Sequence, residues 1–304
     1  MSSYLITGAT GFIGKRLVRS LLSQNHKVKI VSRKLIPEFD SVVFDFETDN
    51  LSKINLQGID IIFHLAGIAH DLNNNHNDLG LYRKINVTSV IKLAKLALKA
   101  GVKKFIFVSS VKAGGQKLDS SVSSEDCQGM PEGLYGQTKR EAELKLLDFS
   151  LNSKMFISIV RPALVYGPDL KGNLKLMLEA IAKGWFPPLP RVKNRRSMVH
   201  VDDLVDALQM VSKDSRANGE IFIVTDGKAH TSRELFEAMC YVLGKPIPKW
   251  SVPYFIFSLV AFFNSNMKQN IYKLLGDEYY SSEKIQSIGF KAKRSLREMN
   301  ETSF

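Results

Sequence analysis

Residues 7–14 read TGATGFIG and lie between an apolar run, Tyr4-Leu5-Ile6, and a segment of helical periodicity that starts at Phe12. A strand that passes through a glycine-rich turn directly into a helix is typical of the first unit of a parallel α/β sheet. The spacing is G-x-x-G-x-x-G, which differs from the G-x-G-x-x-G of the general fingerprint for this turn. The prediction therefore depends on the strand–turn–helix context as much as on the glycines.

The three glycines have separate physical roles in such a turn. Gly8 permits the tight turn, Gly11 lets the backbone approach a pyrophosphate, and Gly14 lets the helix lie close to the sheet. The amides and the positive dipole end of the following helix would then hold the phosphates. The sequence thus predicts a dinucleotide site whose loop contacts are Gly8, Thr10, Gly11, Phe12, Ile13 and Gly14.

Apolar runs and helix-period segments alternate through the first half of the chain. The predicted strands after the first one are 28–31, 42–44, 59–63, 105–108 and 156–160, followed by a late strand at 221–224. The predicted helices are 12–22, 82–99 and 134–149. This alternation predicts an α/β fold, a Rossmann-type doubly wound parallel sheet with helices on both faces.

The later, proline-rich segments lack this rhythm. We assign residues 1–166 plus about 198–226 to a dinucleotide-binding Rossmann domain, and about 167–197 plus 227–304 to a smaller C-terminal substrate-binding lobe. Such a lobe would cover the carboxyl ends of the strands, where ligands bind in open α/β sheets. The Asn-rich stretch 73–77 is predicted to be an exposed loop.

The composition is that of a soluble globular protein, because 44% of the 304 residues are hydrophobic and 24% are charged. The two cysteines, Cys127 and Cys240, predict neither a disulfide framework nor a metal site. They favour a reducing compartment, and we expect the cytoplasm. The start of the chain resembles a first strand rather than a signal peptide.

The net charge of +12 favours an anionic partner, which leaves a small anionic substrate, an anionic membrane surface and nucleic acid. We do not expect nucleic acid, because the basic residues are scattered and no recognition-helix or zinc-finger pattern is present. One cluster of cations stands out, at Arg191, Lys193, Arg195 and Arg196. Four cations so close together repel one another, so the cluster predicts a bound diphosphate; a solvated or membrane-facing loop is the alternative.

The stretch 252–263 is mostly apolar but too short to span a bilayer. We interpret it as a buried helix of the smaller lobe. A peripheral membrane contact and a dimer contact stay open as alternatives. The helices around 82–99 and 134–149 are further candidates for a homodimer interface.

Two positions bear on the nucleotide. Asp45 follows the third predicted strand, where it could accept a hydrogen bond from the adenine amino group, with Phe46 beside it as a further contact. The second strand ends in Ser32-Arg33-Lys34. An acidic residue there would bind the ribose 2′-hydroxyl of NAD, whereas a basic one suits the 2′-phosphate of NADP. The cofactor is therefore NAD or NADP, and Arg33 favours NADP.

Tyr135 and Lys139 stand four residues apart on a predicted helix, so they share one face. A neighbouring ammonium and an oxidised nicotinamide both favour the phenolate, which lowers the pKa of the tyrosine toward that of a useful base. Ser109 and Ser110 close the fifth strand, where a hydroxyl can hold a substrate oxygen. Asn86 is expected to hold a backbone carbonyl or a water molecule near Lys139.

These motifs together resemble a known family. In chain order they are the glycine loop, HLAG at 64–67, Asn86, Ser109-Ser110, Tyr135-x-x-x-Lys139 and RPALVYGP at 161–168. The set resembles the extended short-chain dehydrogenases that act on nucleotide sugars, the NAD-dependent epimerase/dehydratase family. It looks most like the UDP-glucose 4-epimerase-like branch, which includes enzymes that epimerise UDP-N-acetylhexosamines, or reduce their 4-keto forms, for surface polysaccharides.

The resemblance implies a role for several residues. Ser110 would be the catalytic serine beside Tyr135 and Lys139. Further cofactor contacts would come from Leu65, Ala66, Gly67, Pro162 and Val165. A UDP-sugar would meet Lys112 near Ser110, the pair Asn173-Leu174 beside the base, and Arg196 at the diphosphate.

The sequence also departs from the family pattern. Leu164 stands where many epimerases carry an asparagine that touches substrate, and Gly114 stands where many have a tyrosine. The Asp-Glu pair that dehydratases of the group carry after the catalytic serine is replaced by Val111-Lys112. This replacement argues against 4,6-dehydration, which needs a proton donor and a base.

The resemblance leaves two reactions open. Hydride transfer at C4 of a UDP-sugar gives a 4-epimerase when the 4-keto sugar turns over in the site. It gives an NADPH-dependent 4-keto reductase when the keto sugar comes from another enzyme. We favour the epimerase. The alternative of another class is a sensor or assembly factor that binds the dinucleotide without catalysis, but such proteins typically lack the Tyr-Lys pair.

Overall fold

The computed structural model describes residues 1–69, 78–117 and 121–296. The Asn-rich stretch 73–77 and residues 297–304 of the predicted smaller lobe lie outside these ranges. The strands of the described residues are β1 (Ser3–Thr7), β2 (Lys27–Ser32), β3 (Asp40–Val43), β4 (Ile61–His64), β5 (Lys104–Val108), β6 (Phe156–Pro162), β7 (Leu164–Tyr166), β8 (Met198–His200) and β9 (Ile221–Val224).

The helices alternate with these strands. They are α1 (Phe12–Ser23), α2 (Leu79–Arg83), α3 (Ser89–Lys99), α4 (Val111–Gly114), α5 (Gly133–Leu151), α6 (Gly172–Lys183), α7 (Val201–Lys213), α8 (Ser232–Val242), α9 (Tyr254–Phe263), α10 (Ser265–Leu275) and α11 (Glu283–Ser287). A π-helical turn, Lys84–Thr88, joins α2 to α3. The predicted helix 82–99 is therefore helical throughout, but it contains a π-helical turn around Asn86.

The described strands form one main sheet and one small sheet. The main sheet has seven parallel strands in the order β3-β2-β1-β4-β5-β6-β9. The chain reverses direction across the sheet between β1 and β4, and this reversal opens a crevice at the carboxyl ends of the strands. β7 and β8 pair separately, with Leu164 opposite Met198. The predicted Rossmann-type sheet is confirmed, and the late strand returns to it beside β6.

Helices cover both faces of the main sheet. Leu17 of α1 and Leu204 of α7 share one apolar core with β1, while Leu93 of α3 and Leu146 of α5 share the other core with β5. Because both faces are covered, the strands are nearly continuous apolar runs in the sequence. This is why they could be located without clear alternation of apolar and polar residues.

A third apolar core lies in the later part of the chain, where Tyr166 and Met177 pack with Met198 and Phe236. The two-part division of the chain stays a prediction, but the last described segment does not pack wholly with this third core. Ile285 of α11 lies in the same core as α1 and α7. Residues 285–296, the last that the structure describes, therefore pack against the sheet core as well as against the third core.

The buried-helix interpretation of residues 252–263 is wrong. The structure describes all ten residues of α9, and Phe257 alone among them is buried. The apolar pattern predicted burial because long apolar segments are normally core, yet the neighbouring elements cover one narrow side of this helix. Within the described residues, no helix is long and apolar enough to cross a membrane.

Candidate active site

An open cleft with a volume of about 280 Å³ lies at the carboxyl ends of β1, β4, β5 and β6. It is lined by Gly8, Gly11, Phe12, Ile13, Gly14, Leu65, Gly67, Ala69, Val108, Ser109, Ser110, Tyr135, Lys139, Pro162, Ala163 and Val165. The structure thus brings most of the predicted cofactor and catalytic residues to one place. Ala69, Val108 and Ala163 were missed, because small apolar residues at strand ends carry no chemical signal in a sequence.

The glycine loop forms the floor of this cleft. Gly8 has φ of 69°, a left-handed conformation that favours glycine, and its carbonyl accepts a hydrogen bond from the Gly11 amide at 2.9 Å. A Cβ at Gly14 would lie 2.2 Å from the Gly8 carbonyl oxygen, so only glycine lets α1 pack this close. The N-cap residue Gly11 offers no side-chain cap to α1, and the first-turn residues Phe12, Ile13 and Gly14 line the cleft, as a phosphate site at a helix start requires.

A buried histidine holds this loop to the next strand. The Nδ1 atom of His64 lies 2.9 Å from Oγ1 of Thr7, and the same hydroxyl accepts a hydrogen bond from the Ala66 amide at 3.2 Å. Burial, aided by the charge of Lys139, lowers the pKa of His64 to about 3. The ring is therefore neutral at pH 7 and can accept the proton of the Thr7 hydroxyl. Sequence reasoning quoted His64 in a motif but assigned it no contact.

Tyr135 and Lys139 enter the cleft from the first two turns of α5. The Lys139 ammonium donates to the Val108 carbonyl at 2.9 Å and lies 5.9 Å from the centre of the Tyr135 ring. Burial lowers the pKa of Lys139 to about 8, against the opposing effect of Glu143. Burial raises the pKa of Tyr135 to about 12, while its hydrogen bond with Ser110 lowers it. The phenol is thus protonated at pH 7 in the protein alone.

The pKa of Tyr135 differs from the expectation based on Lys139. The expectation took an ammonium four residues away as a strong influence, but burial of the phenol dominates. A phenol in this position needs a further positive charge to become a base at neutral pH. An oxidised nicotinamide is such a charge, so this part of the expectation now depends on the cofactor.

Asn86 lies at the π-helical turn and is fully buried. Its Nδ2 atom donates to the Ile68 carbonyl at 3.0 Å and to Thr138 Oγ1 at 3.1 Å, while its Oδ1 accepts from the Ile68 amide at 2.9 Å. A Cβ at Gly67 would lie 2.9 Å from Asn86 Oδ1 and 3.3 Å from Lys139 Nζ. Asn86 therefore fixes the loop after β4 against α5, next to the lysine.

The residues present fit a nicotinamide dinucleotide on two structural observations. Gly8, Gly11 and Gly14 line the cleft, so a pyrophosphate can approach their backbone without meeting a side chain. Ser109 is buried and lines the cleft, and its Oγ atom has no hydrogen-bond partner among the residues that the structure describes. A buried hydroxyl without a partner is costly, and a ligand group in the cleft would satisfy it.

A buried ion pair behind the cleft orients α5. Arg161 of β6 donates from Nε to Glu143 Oε1 at 2.8 Å and from NH2 to Glu143 Oε2 at 2.5 Å. Its NH1 atom donates to Gln128 Oε1 at 2.6 Å. Both charged side chains are fully buried. A Cβ at Gly114 would lie 2.5 Å from Gln128 Oε1, so the space of a larger side chain at that position is already used.

The sequence predicts that the four cations at 191–196 repel one another and bind a diphosphate, and the structure pairs two of them with acids. Arg195 bonds to Asp277 at 3.1 Å, and Arg196 bonds to Glu278 at 2.7 Å and to the Lys273 carbonyl at 2.6 Å. The two acids follow α10, far along the chain. These acids partly offset the mutual repulsion of the four cations, and their distance along the chain hides the pairing from the sequence.

Arg196 nevertheless lies in a charged group near the catalytic helix. Burial and the charge of Glu278 raise the pKa of Glu132, which immediately precedes α5, while Lys112, Lys273 and Arg196 act in the opposite direction. Glu132 therefore lies within electrostatic reach of Lys112 and Arg196, two of the predicted substrate residues, although neither residue lines the cleft.

The other predicted contacts lie outside the cleft lining. Arg33 is exposed just after β2, and Thr10 is exposed at the tip of the glycine loop. Asp45 accepts a hydrogen bond from the Glu47 amide at 2.8 Å, and Phe46 stacks edge-on against His64. Asn173 is exposed in the first turn of α6, whereas the next residue, Leu174, is buried in the third core.

The fold and the cleft define an extended short-chain dehydrogenase with a nicotinamide dinucleotide site. The sequence profile of the NAD dependent epimerase/dehydratase family matches residues 4–225, and the chain belongs to this family. The resemblance inferred from the motifs is therefore confirmed, and the protein is an enzyme of the epimerase/dehydratase type.

Individual relatives show which members of the family this chain resembles. The chain is 31% identical to the UDP-glucose 4-epimerase of Vibrio cholerae, over 97% of this chain and 92% of the relative. It is 25% identical to the N-acetyl-alpha-D-glucosaminyl-diphospho-ditrans,octacis-undecaprenol 4-epimerase of Escherichia coli O157:H7, over 96% and 91%. The fold matches the UDP-glucose 4-epimerase of Thermotoga maritima, solved with UDP-glucose, with a TM-score of 0.79 at 22% identity over 99% and 97% of the two chains. The chain is thus UDP-sugar 4-epimerase-like.

Proposed function

We propose that the protein is an NAD(P)-dependent 4-epimerase of a UDP-sugar, UDP-glucose or a UDP-N-acetylhexosamine. The observation that carries this proposal is the cleft itself, where Tyr135, hydrogen-bonded to Ser110, lies beside Lys139 and opposite the glycine loop. The similarity to 4-epimerases over nearly the whole chain supports the same reaction.

In the proposed reaction, Tyr135 takes the proton of the sugar 4-hydroxyl, and Ser110 holds that oxygen in line with the phenol. Lys139, held by its hydrogen bond to the Val108 carbonyl, keeps a positive charge near the Tyr135 ring and would bind the ribose of a dinucleotide in the cleft. A nicotinamide dinucleotide bound by the glycine loop, Pro162 and Val165 would supply a hydride acceptor for C4 and a hydride donor for the opposite face of the 4-keto sugar. Asn86, Glu143 and Arg161 hold α5 and the loop after β4, so they act as positioning residues.

The direct test is to incubate the protein with UDP-glucose or UDP-N-acetylglucosamine and to measure the formation of the 4-epimer by chromatography. The nucleotide that copurifies with the protein discriminates further. Tightly bound NAD supports a self-contained epimerase, because the dinucleotide is regenerated in every cycle. Absence of epimerised product from both sugars, despite bound dinucleotide, would exclude the epimerase assignment for these substrates.

A second candidate is an NADPH-dependent reductase of a UDP-4-keto sugar. The exposed Arg33 after β2, in place of an acidic residue, favours it. We expect Arg33→Ala to weaken NADPH binding by about 1.5 to 3 kcal/mol, the contribution of a charge-assisted hydrogen bond. NADH binding should change little. Fluorescence titration of both dinucleotides measures the difference, with Lys34→Ala as the neighbouring exposed control; equal losses for both dinucleotides would remove the argument for NADP.

The substrate diphosphate is proposed to bind Arg196 in competition with Glu278. We expect Arg196→Ala to weaken UDP binding by about 1.5 to 3 kcal/mol, measured by calorimetry with dinucleotide already bound. Glu278→Gln should instead tighten UDP binding, because it removes the acid that now neutralises the guanidinium. Arg191→Ala, at an exposed cation, should cost only about 0 to 1 kcal/mol.

Arg196→Ala and Glu278→Gln are expected to change UDP affinity in opposite directions, which distinguishes diphosphate binding from a purely structural role of the pair. If Arg196 and Glu278 served stability alone, both substitutions would weaken UDP binding together with the melting temperature. If the unmodified protein showed no affinity for UDP while a non-nucleotide carbonyl compound bound, the nucleotide-sugar assignment would fail.

The group to which the sugar is attached differs between the two relatives. The relative from E. coli O157:H7 is named for a sugar joined by diphosphate to undecaprenol, an apolar alcohol. We propose a lipid diphosphate as the second candidate carrier, because the exposed apolar helix α9 leads into α10, whose Lys273 carbonyl contacts Arg196. Offering the same sugar on UDP and on a polyprenyl diphosphate in detergent distinguishes the two carriers by their kcat/KM values.

A further inference from the structure

Helix α9 has the reverse of the pattern normal for a surface helix. A helix on the outside of a soluble protein usually turns polar residues to water. The outer arc of α9 instead carries Phe255, Leu259, Phe262 and Phe263. Phe255 is 67% exposed and Phe262 is 81% exposed, while Phe257 fills the buried side. Such a patch marks an interaction surface.

The patch continues beyond α9. Met267 and Tyr272 of α10, which packs on α9, are exposed large side chains. Trp185 and Trp250 are exposed as well, at 75% and 63%. The segments that bear the two tryptophans are joined near the start of α9, where the Val252 amide donates to the Pro188 carbonyl at 3.0 Å. We call α9 together with Trp185, Trp250, Met267 and Tyr272 the docking face.

The charge of the same segment is entirely positive. Between Glu237 and Asp277 the sequence contains no aspartate or glutamate. It contains four lysines, Lys245, Lys249, Lys268 and Lys273. Lys249 and Lys268 are exposed on either side of α9 in the sequence. The docking face is therefore an apolar surface flanked by cations, with no acid of its own segment to pair them.

We propose that the docking face binds the surface of an anionic phospholipid bilayer. An apolar helix flanked by lysines, with Trp and Tyr at its margin, matches the interface between acyl chains and anionic headgroups. A ten-residue helix is about 15 Å long, half of the roughly 30 Å hydrocarbon core, so α9 lies in the interface and does not span it.

A second copy of the chain fits this surface less well. In a symmetric dimer the same patch lies on both sides of the interface. The flanking lysines of both copies would then meet across it, with no acid between Glu237 and Asp277 to neutralise them. An anionic membrane removes this repulsion and covers the apolar arc at the same time.

The docking face includes part of α10, and α10 contacts Arg196, one of the predicted substrate residues. The Lys273 carbonyl, in the last turn of α10, accepts a hydrogen bond from Arg196 at 2.6 Å. Arg196 in turn lies close enough to influence Glu132 at the start of α5. Docking would therefore place the bilayer next to the charged side of the site, whichever carrier the sugar has.

Vesicle flotation of the full-length protein tests the proposal without substrate, so its result is independent of the proposed reaction. We expect binding to vesicles of phosphatidylcholine with phosphatidylglycerol, weaker binding at high salt, and little binding to phosphatidylcholine alone. The double variant Phe255→Ser/Phe262→Ser should lower the partition coefficient at least about tenfold. Lys249→Gln and Lys268→Gln should each lower it about fivefold, on anionic vesicles alone.

The matched control replaces two exposed leucines outside the docking face, Leu144→Ser/Leu151→Ser on α5, and should leave flotation unchanged. Equal flotation of the phenylalanine and leucine variants would overturn the proposal, as would failure of the unmodified protein to bind anionic vesicles. Light scattering measures the oligomeric state of the unmodified protein and of the phenylalanine variant. If the unmodified protein is a dimer that does not bind vesicles, and the phenylalanine variant is a monomer, the docking face binds a second copy of the chain instead.

Discussion

Replacing Tyr135 with phenylalanine is expected to lower turnover of the UDP-sugar by about 10² to 10⁴, the usual contribution of a positioned acid–base group. The substitution removes the hydroxyl that bonds to Ser110 and would take the 4-hydroxyl proton. It keeps the ring that packs 5.9 Å from the Lys139 ammonium. The measurement is kcat for the formation of 4-epimer or of reduced sugar, with dinucleotide affinity determined in parallel.

Dinucleotide binding should stay nearly unchanged in this variant, because the glycine loop and Lys139 are untouched. Tyr241→Phe, at an exposed tyrosine of α8, is the matched control and should retain full activity. Turnover close to that of the unmodified protein in Tyr135→Phe would refute the catalytic assignment. A parallel loss of dinucleotide affinity would instead indicate a damaged cleft.

The sheet and the floor of the site were predictable because their signals are local. The stretch at 7–14 contains the turn, the helix start and the close packing of α1 within eight consecutive residues, and Gly8 and Gly14 show why only glycine fits. Tyr135 and Lys139 share a face by helical spacing alone. No long-range contact had to be known for either inference.

The ion pairs were less predictable, because the two partners of each pair lie far apart in the sequence. Arg196 bonds to Glu278, and Arg161 bonds to Glu143 on another element. A sequence shows the arginines but not which acids the fold brings to them. The cluster of cations at 191–196 therefore predicted strong mutual repulsion, although two of its members have acidic partners.

Helix α9 shows the limit of apolar patterning. Apolar periodicity shows which side chains would be stabilised by burial away from water. It does not show whether the protein core, another copy of the chain or a membrane buries them. The sequence favoured the protein core, and the structure leaves Phe262 and Phe263 outside. The missing information was the number of elements that pack against the helix, which depends on the whole fold.

Replacing Arg161 with methionine is expected to lower the free energy of unfolding by about 3 to 5 kcal/mol. Arg161 and Glu143 are fully buried and form a two-pronged ion pair, with Gln128 on the third arm of the guanidinium. Methionine fills much of the same volume but leaves the Glu143 carboxylate buried, with Arg140 at 3.5 Å as its remaining ion-pair partner among the described residues. Urea unfolding of the purified protein measures the loss, and Arg216→Met, at an exposed pair with Asp214, should change stability little.

The double variant Arg161→Met/Glu143→Leu decides whether the loss comes from an uncompensated charge. With both partners apolar, no buried charge remains, so most of the lost stability should return. A double variant as unstable as Arg161→Met would mean that lost packing around β6, rather than the charge, causes the effect. If the double variant is stable but turns over slowly, the pair is needed to hold α5, and with it Tyr135 and Lys139, at the angle the reaction requires.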